Sequence, residues 1–311
     1  MARAGASMRS AYAHLHRLGL KYTLRGQPRI FHVYLDQDGA RTQIGHYTLI
    51  HRPGHYTFYD GINLYPEHRH HWEAAMRAAI AQAGPGRYDY GWQWNPEPAR
   101  DAELAAIPGV RIVSTRNILI QGIDFSNWPT WEAYYRDVSE NTRRNAKKAE
   151  KLHADIGVVV VTGLATLAKV PALVAMRQAM YRRKNLPFNP LRIFAGYVLN
   201  ILACPDQAMI ALAVGDGRVL AIQNNVEFAD FHYYLDGAAA NDTEGGAWYL
   251  QLAMLRRAYE AIPNGKFLMG YTDLPLDDQL AEGLLRSRRS LRVTDWPTSL
   301  IRFEFDPAAA A

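Results

Sequence analysis

One six-residue run, Phe231-His-Tyr-Tyr-Leu-Asp236, places an imidazole, two phenols and a carboxylate in close succession. Read as a strand, it sends successive side chains to opposite faces. His232, Tyr234 and Asp236 then share one face, and Phe231, Tyr233 and Leu235 the other. A carboxylate beside a phenol and an imidazole is a set able to take up and release protons. Glu227 adds a second carboxylate just upstream. Cations gather elsewhere. Arg143, Lys147 and Lys151 recur every fourth residue, which aligns them on one helical face, with Arg144 and Lys148 beside them. Arg182-Arg-Lys184 and Arg286-Ser-Arg288-Arg289 are further clusters. Such faces suit phosphates as well as plain solvation.

Composition narrows the setting. The 311 residues, 49% hydrophobic and 21% charged, describe a globular protein of one large domain or two. The net charge of +5 fits an anionic partner without requiring one. The longest apolar runs, Ile156–Val161 and Met209–Val214, fall well short of the roughly 20 residues that span a bilayer, so no membrane span is expected. Met1–Ser10 carries no apolar run, so no signal peptide is expected either. The single cysteine, Cys204, cannot form an internal disulfide and fits a cytoplasmic location. His68-Arg-His70-His71 lacks carboxylate or thiolate partners at ligand spacing, and no metal is expected. No Gly-x-Ser-x-Gly elbow, Walker loop or G-x-G-x-x-G is present, which leaves hydrolase, NTPase and dinucleotide readings without support.

The elements that must carry these residues occur twice. The stretch from Val33 and the stretch from Leu212 each hold an apolar run, an Asp-Gly (Asp38-Gly39, Asp216-Gly217), two further β-like runs and a second Asp-Gly (Asp60-Gly61, Asp236-Gly237). A Trp follows the second Asp by 12 residues in both, Trp72 and Trp248, and opens a helical pattern. Gly86-Arg-Tyr-Asp-Tyr-Gly91 and Gly265-Lys-Phe-Leu-Met-Gly270 then match in glycine, cation and aromatic. Asp-Gly between alternating apolar runs signals a tight hairpin. Each unit therefore reads as hairpin, strand, helix, strand. The boundary falls near residues 124–140, followed by a basic helix from Trp131 to Ala154 and a strand at Val158–Val161. Helices are expected over Leu167–Lys184, Leu191–Ala203 and Asp277–Ser290, and strands at Leu291–Asp295 and Ser299–Phe305. The aromatic stretch Tyr88–Trp94 reads as strand and core.

This order of elements resembles the GNAT acetyltransferase fold, and two such units in one chain resemble the Fem-type aminoacyltransferases. The fold class implied is α/β (α+β): two tandem GNAT-like domains, each a mixed sheet flanked by helices. Residues 1–125 would be a degenerate N-terminal domain, and 126–311 a C-terminal domain with the donor site. In that family a glycine loop at the start of the central helix holds the donor's pyrophosphate through backbone N–H groups. The matching stretch is Asp242-Thr-Glu-Gly245-Gly246-Ala247, where the glycines and Ala247 fit while Asp242 replaces the usual cation or amide. The N-terminal counterpart, Tyr65–Trp72, has no glycine.

The resemblance assigns further roles. Asp236 or Glu227 would act as base and Tyr234 would orient substrate. Gly245, Gly246, Ala247, Arg286 and Arg289 would bind the donor, while Tyr271, Asp273, Arg143 and Lys147 would bind substrate. No tyrosine stands between Asp277 and Ser290, where many GNAT enzymes carry their acid, so that role is unassigned. No tightly bound cofactor is expected. The co-substrate implied is an acyl-CoA passing its acyl group to a small-molecule or peptide amine in the inter-domain cleft. Aminoacyl-tRNA is the alternative donor, suited by the tandem arrangement, the basic face and Asp242. A catalytically inactive binding module is the reading from another class.

Overall fold

The computed structural model describes residues 27–91, 96, 98–203, 205–241, 243–273 and 278–310; Met1–Ser10, Trp92, Trp94, Cys204 and Asp242 lie outside them. Two compact units emerge. The first comprises Met1–Ile120, Tyr271–Asp273 and Asp295–Ala311, and the second Gln121–Gly270 and Leu274–Thr294.

In the first unit, β1 (Gln27–Gln37), β2 (Ala40–Arg52) and β3 (His55–Leu64) form an antiparallel meander. Helix α1 (Trp72–Ala83) carries the chain to β4 (Gly86–Tyr90), which pairs parallel to β3. The short α2 (Asp101–Ala105) follows, then β5 (Val110–Asp124), whose last residues enter the second unit. The strand order is β1-β2-β3-β4-β11-β5, where β11 is Thr294–Phe305. Trp72, Met76 and Ile80 of α1 cover one sheet face, against Tyr47, Phe58 and Tyr88.

The second unit starts with α3 (Trp131–Asp137) and α4 (Glu140–Leu152). The sequence reads these as one helix. Val138 is extended and Ser139 accepts from Thr142 N–H at 3.2 Å, so a fresh N-cap restarts the helix. After β6 (Gly157–Thr162), α5 (Val170–Arg183) and α6 (Pro190–Ala203) precede a second meander. That meander is β7 (Ala208–Gly215), β8 (Arg218–Phe228) and β9 (Phe231–Ala239). Helix α7 (Gly246–Ala261) leads to β10 (Lys266–Tyr271), parallel to β9, and α8 (Asp278–Ser290) follows. Strand alternation sorts the core: Ile210, Leu212, Ile222 and Ala238 face α5 and α6, whereas Met209, Ala211, Ala221 and Ala239 face α7.

The internal repeat is therefore structural: meander, helix and parallel strand recur as β1–β2–β3–α1–β4 and β7–β8–β9–α7–β10. Both first Asp-Gly pairs are tight turns with positive φ at each residue: 52° and 76° at Asp38-Gly39, 53° and 69° at Asp216-Gly217. Both second pairs lie instead at register shifts inside a strand. The shift in β3 falls between Phe58 and Ile62, and that in β9 between Tyr234 and Asp236.

The C-terminal strand departs from the expected division at 126. A single β11 replaces the two short strands read from sequence and pairs with β4 through Ile301–Phe305. The reason is aromatic packing: Phe303, fully buried, stacks on Tyr88 with centroids 5.0 Å apart. Phe303→Ala should cost about 3–5 kcal/mol. Chemical denaturation of the full chain measures this, and a loss below 1 kcal/mol would remove β11 from the first unit's core.

Candidate functional site

The β9–β10 pairing lasts three residues. Lys266, Phe267 and Leu268 pair with Phe231, His232 and Tyr233, and there the ladder ends although both strands continue. Beyond that point lies a cavity of about 410 Å³, lined among others by Tyr234, Gly237, Gly245, Trp248, Gln251 and Arg288.

A bulge fixes what faces it. Asn225 pairs with Tyr234 and Asn224 with Asp236, so Leu235 is an extra residue. The alternation expected from sequence fails here. Tyr234 stays with the α7 side, packed against the cluster of Leu252, Phe267 and Leu291, while Asp236 turns toward α5 and α6. Its Oδ2 accepts from Arg177 Nη1 at 3.0 Å and from Tyr197 OH at 2.8 Å. Arg177 also donates to Tyr181 OH at 3.0 Å and to Tyr197 OH. Asp236 Oδ1 is shielded and has no hydrogen-bond partner among the described residues. Burial raises the carboxyl pKa above its ordinary value, while Arg177 and the Tyr197 hydroxyl pull it back. The result is a carboxylate with one oxygen anchored and one in reserve.

Arg177 and Tyr197 were invisible to motif reading, because each sits in an amphipathic helix as a single polar residue on an otherwise apolar face. Tyr234 is also perturbed: burial, and then Asp236, push its phenol up to about 12. It is a neutral donor at any ordinary pH.

Other expected residues separate. Glu227 lies near the end of β8, 3.2 Å from the buried His232, with Arg257 at 3.7 Å; neither it nor Asp236 is among the residues that line the cavity, but Asp236 stands between the lining Tyr234 and Gly237 on β9. The His232 hydrogen bond holds its carboxyl below the usual range. Arg286 pairs with Glu282 on the exposed face of α8, and Arg289 is exposed as well. The residue between them is the inward cation: Arg288, 6% exposed, donates to Met269 O at 2.5 Å and to Gln121 Oε1 at 3.2 Å. Desolvation lowers its pKa to about 10, still well above neutrality. Tyr271 and Asp273 belong to the first unit, where Asp273 bonds Arg116 at 2.6 Å.

The glycine loop is explained by packing. Gly245 has φ +78°, and a Cβ on it would come within 2.0 Å of the Asn145 carbonyl of α4. A Cβ on Gly246 would meet Leu220 at 2.9 Å. Glu244 completes this N-terminus, paired with Arg218 at 3.2 Å. A carbonyl and a carboxylate at a helix N-terminus are poor company for a phosphate. Arg143, Arg144, Lys147, Lys148 and Lys151 instead line a broad concave face along α4. In the α5 cluster, Arg183 donates to the carbonyls of Ala239 and Ala240 at 2.8 and 3.0 Å, and Lys184 reaches the cavity.

The first unit shows the same gap filled. β3 and β4 also pair over three residues. There Tyr90 OH sits 3.0 Å from where a Gly61 Cβ would be, and Trp72 Nε1 donates to that oxygen at 3.1 Å. Aromatic side chains close in one unit what the other leaves open. His70 is exposed and His68 and His71 are half-buried, with the His71 ring against both others, and among the described residues no group of His, Cys, Asp or Glu has metal-site geometry.

Arg177→Met should push the Asp236 titration further up, because the charge that restrains it is gone. A folded carboxyl pKa above the unfolded one also makes stability fall as pH rises between the two values, and the variant should widen that window. Carboxyl-carbon NMR titration checks this; an unchanged or lower Asp236 midpoint would sever the coupling.

No family model and no curated protein sequence matches the chain. Solved structures do. The crystal structure of FemX superposes with a TM-score of 0.67 over 97% of this chain and 92% of that one, at 11% identity. L-PGS from Bacillus licheniformis gives 0.52 over 94% and 86%, at 11% identity. The C-terminal domain of a protein assigned as a lysylphosphatidylglycerol synthetase in Agrobacterium fabrum gives 0.52 over 96% and 93%, at 14% identity. The chain has the tandem GNAT-like, Fem-type fold.

Proposed function

We propose that this protein transfers an aminoacyl group from an aminoacyl-tRNA to an amine, forming an amide bond. One observation carries the reading: β9 and β10 part after Tyr233 and Leu268 and leave a cavity where an acyl group can lie between strand edges, with the partly buried Asp236 standing on β9 between the lining residues Tyr234 and Gly237. Asp236 is the base. Its reserve oxygen takes the proton of the attacking ammonium, directly or through water, and the amine nitrogen then bonds the acyl carbon. The ester C–O bond then breaks as the nitrogen gives up a second proton to the leaving ribose oxygen, and the proton held on Asp236 is released to solvent. Tyr197, already donating to Asp236, steadies the carboxylate through both protonation states. Tyr234 and Arg288 face the cavity as donors toward the carbonyl oxygen.

The donor reading draws on charge. Phosphates are better met on the cationic face of α4 than at the α7 N-terminus, where Asn145 and Glu244 present acceptors. The name of one structural neighbour, lysylphosphatidylglycerol synthetase, is that of an aminoacyl-group enzyme. Acyl-CoA is the second reading, favoured by the cavity under Gly245 and Ala247, which would take a thioester arm.

Asp236→Asn should slow transfer by about 10²–10⁴-fold in single-turnover assays with mixed aminoacyl-tRNA. Unchanged turnover would remove Asp236 from the chemistry. Fluorescence anisotropy on the full chain should show tRNA binding that weakens steeply with salt, and Arg143→Glu and Lys147→Glu should each flatten that slope by about one. Tight acetyl-CoA binding with salt-insensitive, weak tRNA binding would replace the first reading by the second.

A further inference from the structure

The cavity contains a polar pair that acid–base chemistry does not use. Gln223, on β8, and Gln251, on α7, are 4% and 6% exposed. Gln223 Nε2 donates to Gln251 Oε1 at 2.9 Å. That bond uses half of what each amide offers. Gln223 Oε1 and Gln251 Nε2 are shielded from solvent and have no hydrogen-bond partner among the described residues. Both side chains line the cavity, with Tyr234, Trp248 and Arg288.

Buried amide groups are nearly always satisfied, so a spare acceptor and a spare donor on two residues of one cavity wall ask for a complement. The conclusion does not depend on how the two amides are oriented. Exchanging oxygen and nitrogen on both residues reverses the bond between them and again leaves one acceptor and one donor. A secondary amide offers one N–H and one C=O on opposite edges of a planar group, so one lying between the two glutamines meets the acceptor with one edge and the donor with the other. Space for it is the cavity of about 410 Å³ that both side chains line; Gly237 is itself closely covered, since an added Cβ would approach Tyr234 OH at 2.8 Å and the Ile222 carbonyl at 2.9 Å.

We infer that Gln223 and Gln251 form a recognition site for a secondary amide of the substrate, held in the cavity between β9 and α7. This deepens the transfer reading, on which it rests for the identity of the cavity as the substrate site. Two sources supply such an amide: a peptide backbone, or the pantetheine arm of a CoA thioester.

Binding of non-reactive probes to the full chain tests it without turnover, so loss of transfer activity and loss of amide recognition are read separately. The probes are N-acetyl-alanine methylamide, its analogue with both amide N–H groups replaced by ester oxygens (methyl O-acetyl-lactate), and pantetheine, followed by ligand-observed NMR titration. The amide should bind at least about tenfold more tightly than the ester, because the ester lacks the N–H that the site's acceptor needs. Binding of the peptide amide alone assigns a peptidyl substrate, and binding of pantetheine alone a CoA arm. The Gln223→Met/Gln251→Met double variant should lose amide binding while keeping or raising its melting temperature, since it removes two unsatisfied groups. A purely structural pair would instead give a lower melting temperature with binding undiminished. Equal binding of amide and ester, or no binding of either amide probe to the wild-type chain, would overturn the inference.

Discussion

The architecture of the second unit turns on the place where the β9–β10 ladder stops after Tyr233 and Leu268. Two parallel strands that part leave unpaired main-chain groups and a gap, and both must be managed. The first unit manages its equivalent gap with aromatic volume, Tyr90 over Gly61 and Trp72 bonded to Tyr90. The second lines it with Tyr234, Arg288 and the two glutamines, and leaves it open. One fold, built twice, thus offers a filled and an unfilled version of the same feature, and it is at the unfilled one that the transfer is proposed.

Keeping it unfilled has an energetic cost. A largely buried guanidinium and a partly buried carboxylate lose hydration, and close, hydrogen-bonded pairing is what offsets that loss. Arg177, Asp236 and Tyr197 meet part of this among themselves, with Asp236 Oδ1 and Arg177 Nε left without a partner among the described residues, and Arg288 bonds Met269 O and Gln121. The meander, α5 and α6 hold these groups in place through the apolar contacts of Val174, Ile201, Leu212 and Ile222. The helices that bury the core also deliver Arg177 and Tyr197 to Asp236, so the proposed chemistry draws on the same residues as stability.

Much of the scaffold was legible because its signals are local. The Asp-Gly turns demand positive φ, the Val-rich run of β6 alternates, and Trp72 begins its helix where the repeat places it. The bulge at Leu235 was not legible, for it depends on how β8 and β9 align, and no residue type at that site announces it. That one extra residue reversed the face of Asp236 and separated it from Tyr234. The basic cluster of α8 misled for a related reason: three arginines look equivalent in sequence, yet helical phase turns only Arg288 inward. The C-terminal strand's place beside β4 follows from a Phe303–Tyr88 contact across most of the chain, which no local pattern encodes.

The most direct test of the account is a crystal structure of the full chain with a stable amide-linked analogue of the aminoacyl-tRNA 3′ end. The account predicts the aminoacyl group lying between the parted ends of β9 and β10, with its reacting carbon open to an amine that can reach Asp236 Oδ1. An analogue bound elsewhere, with the gap between the two strands closed or empty, would contradict it.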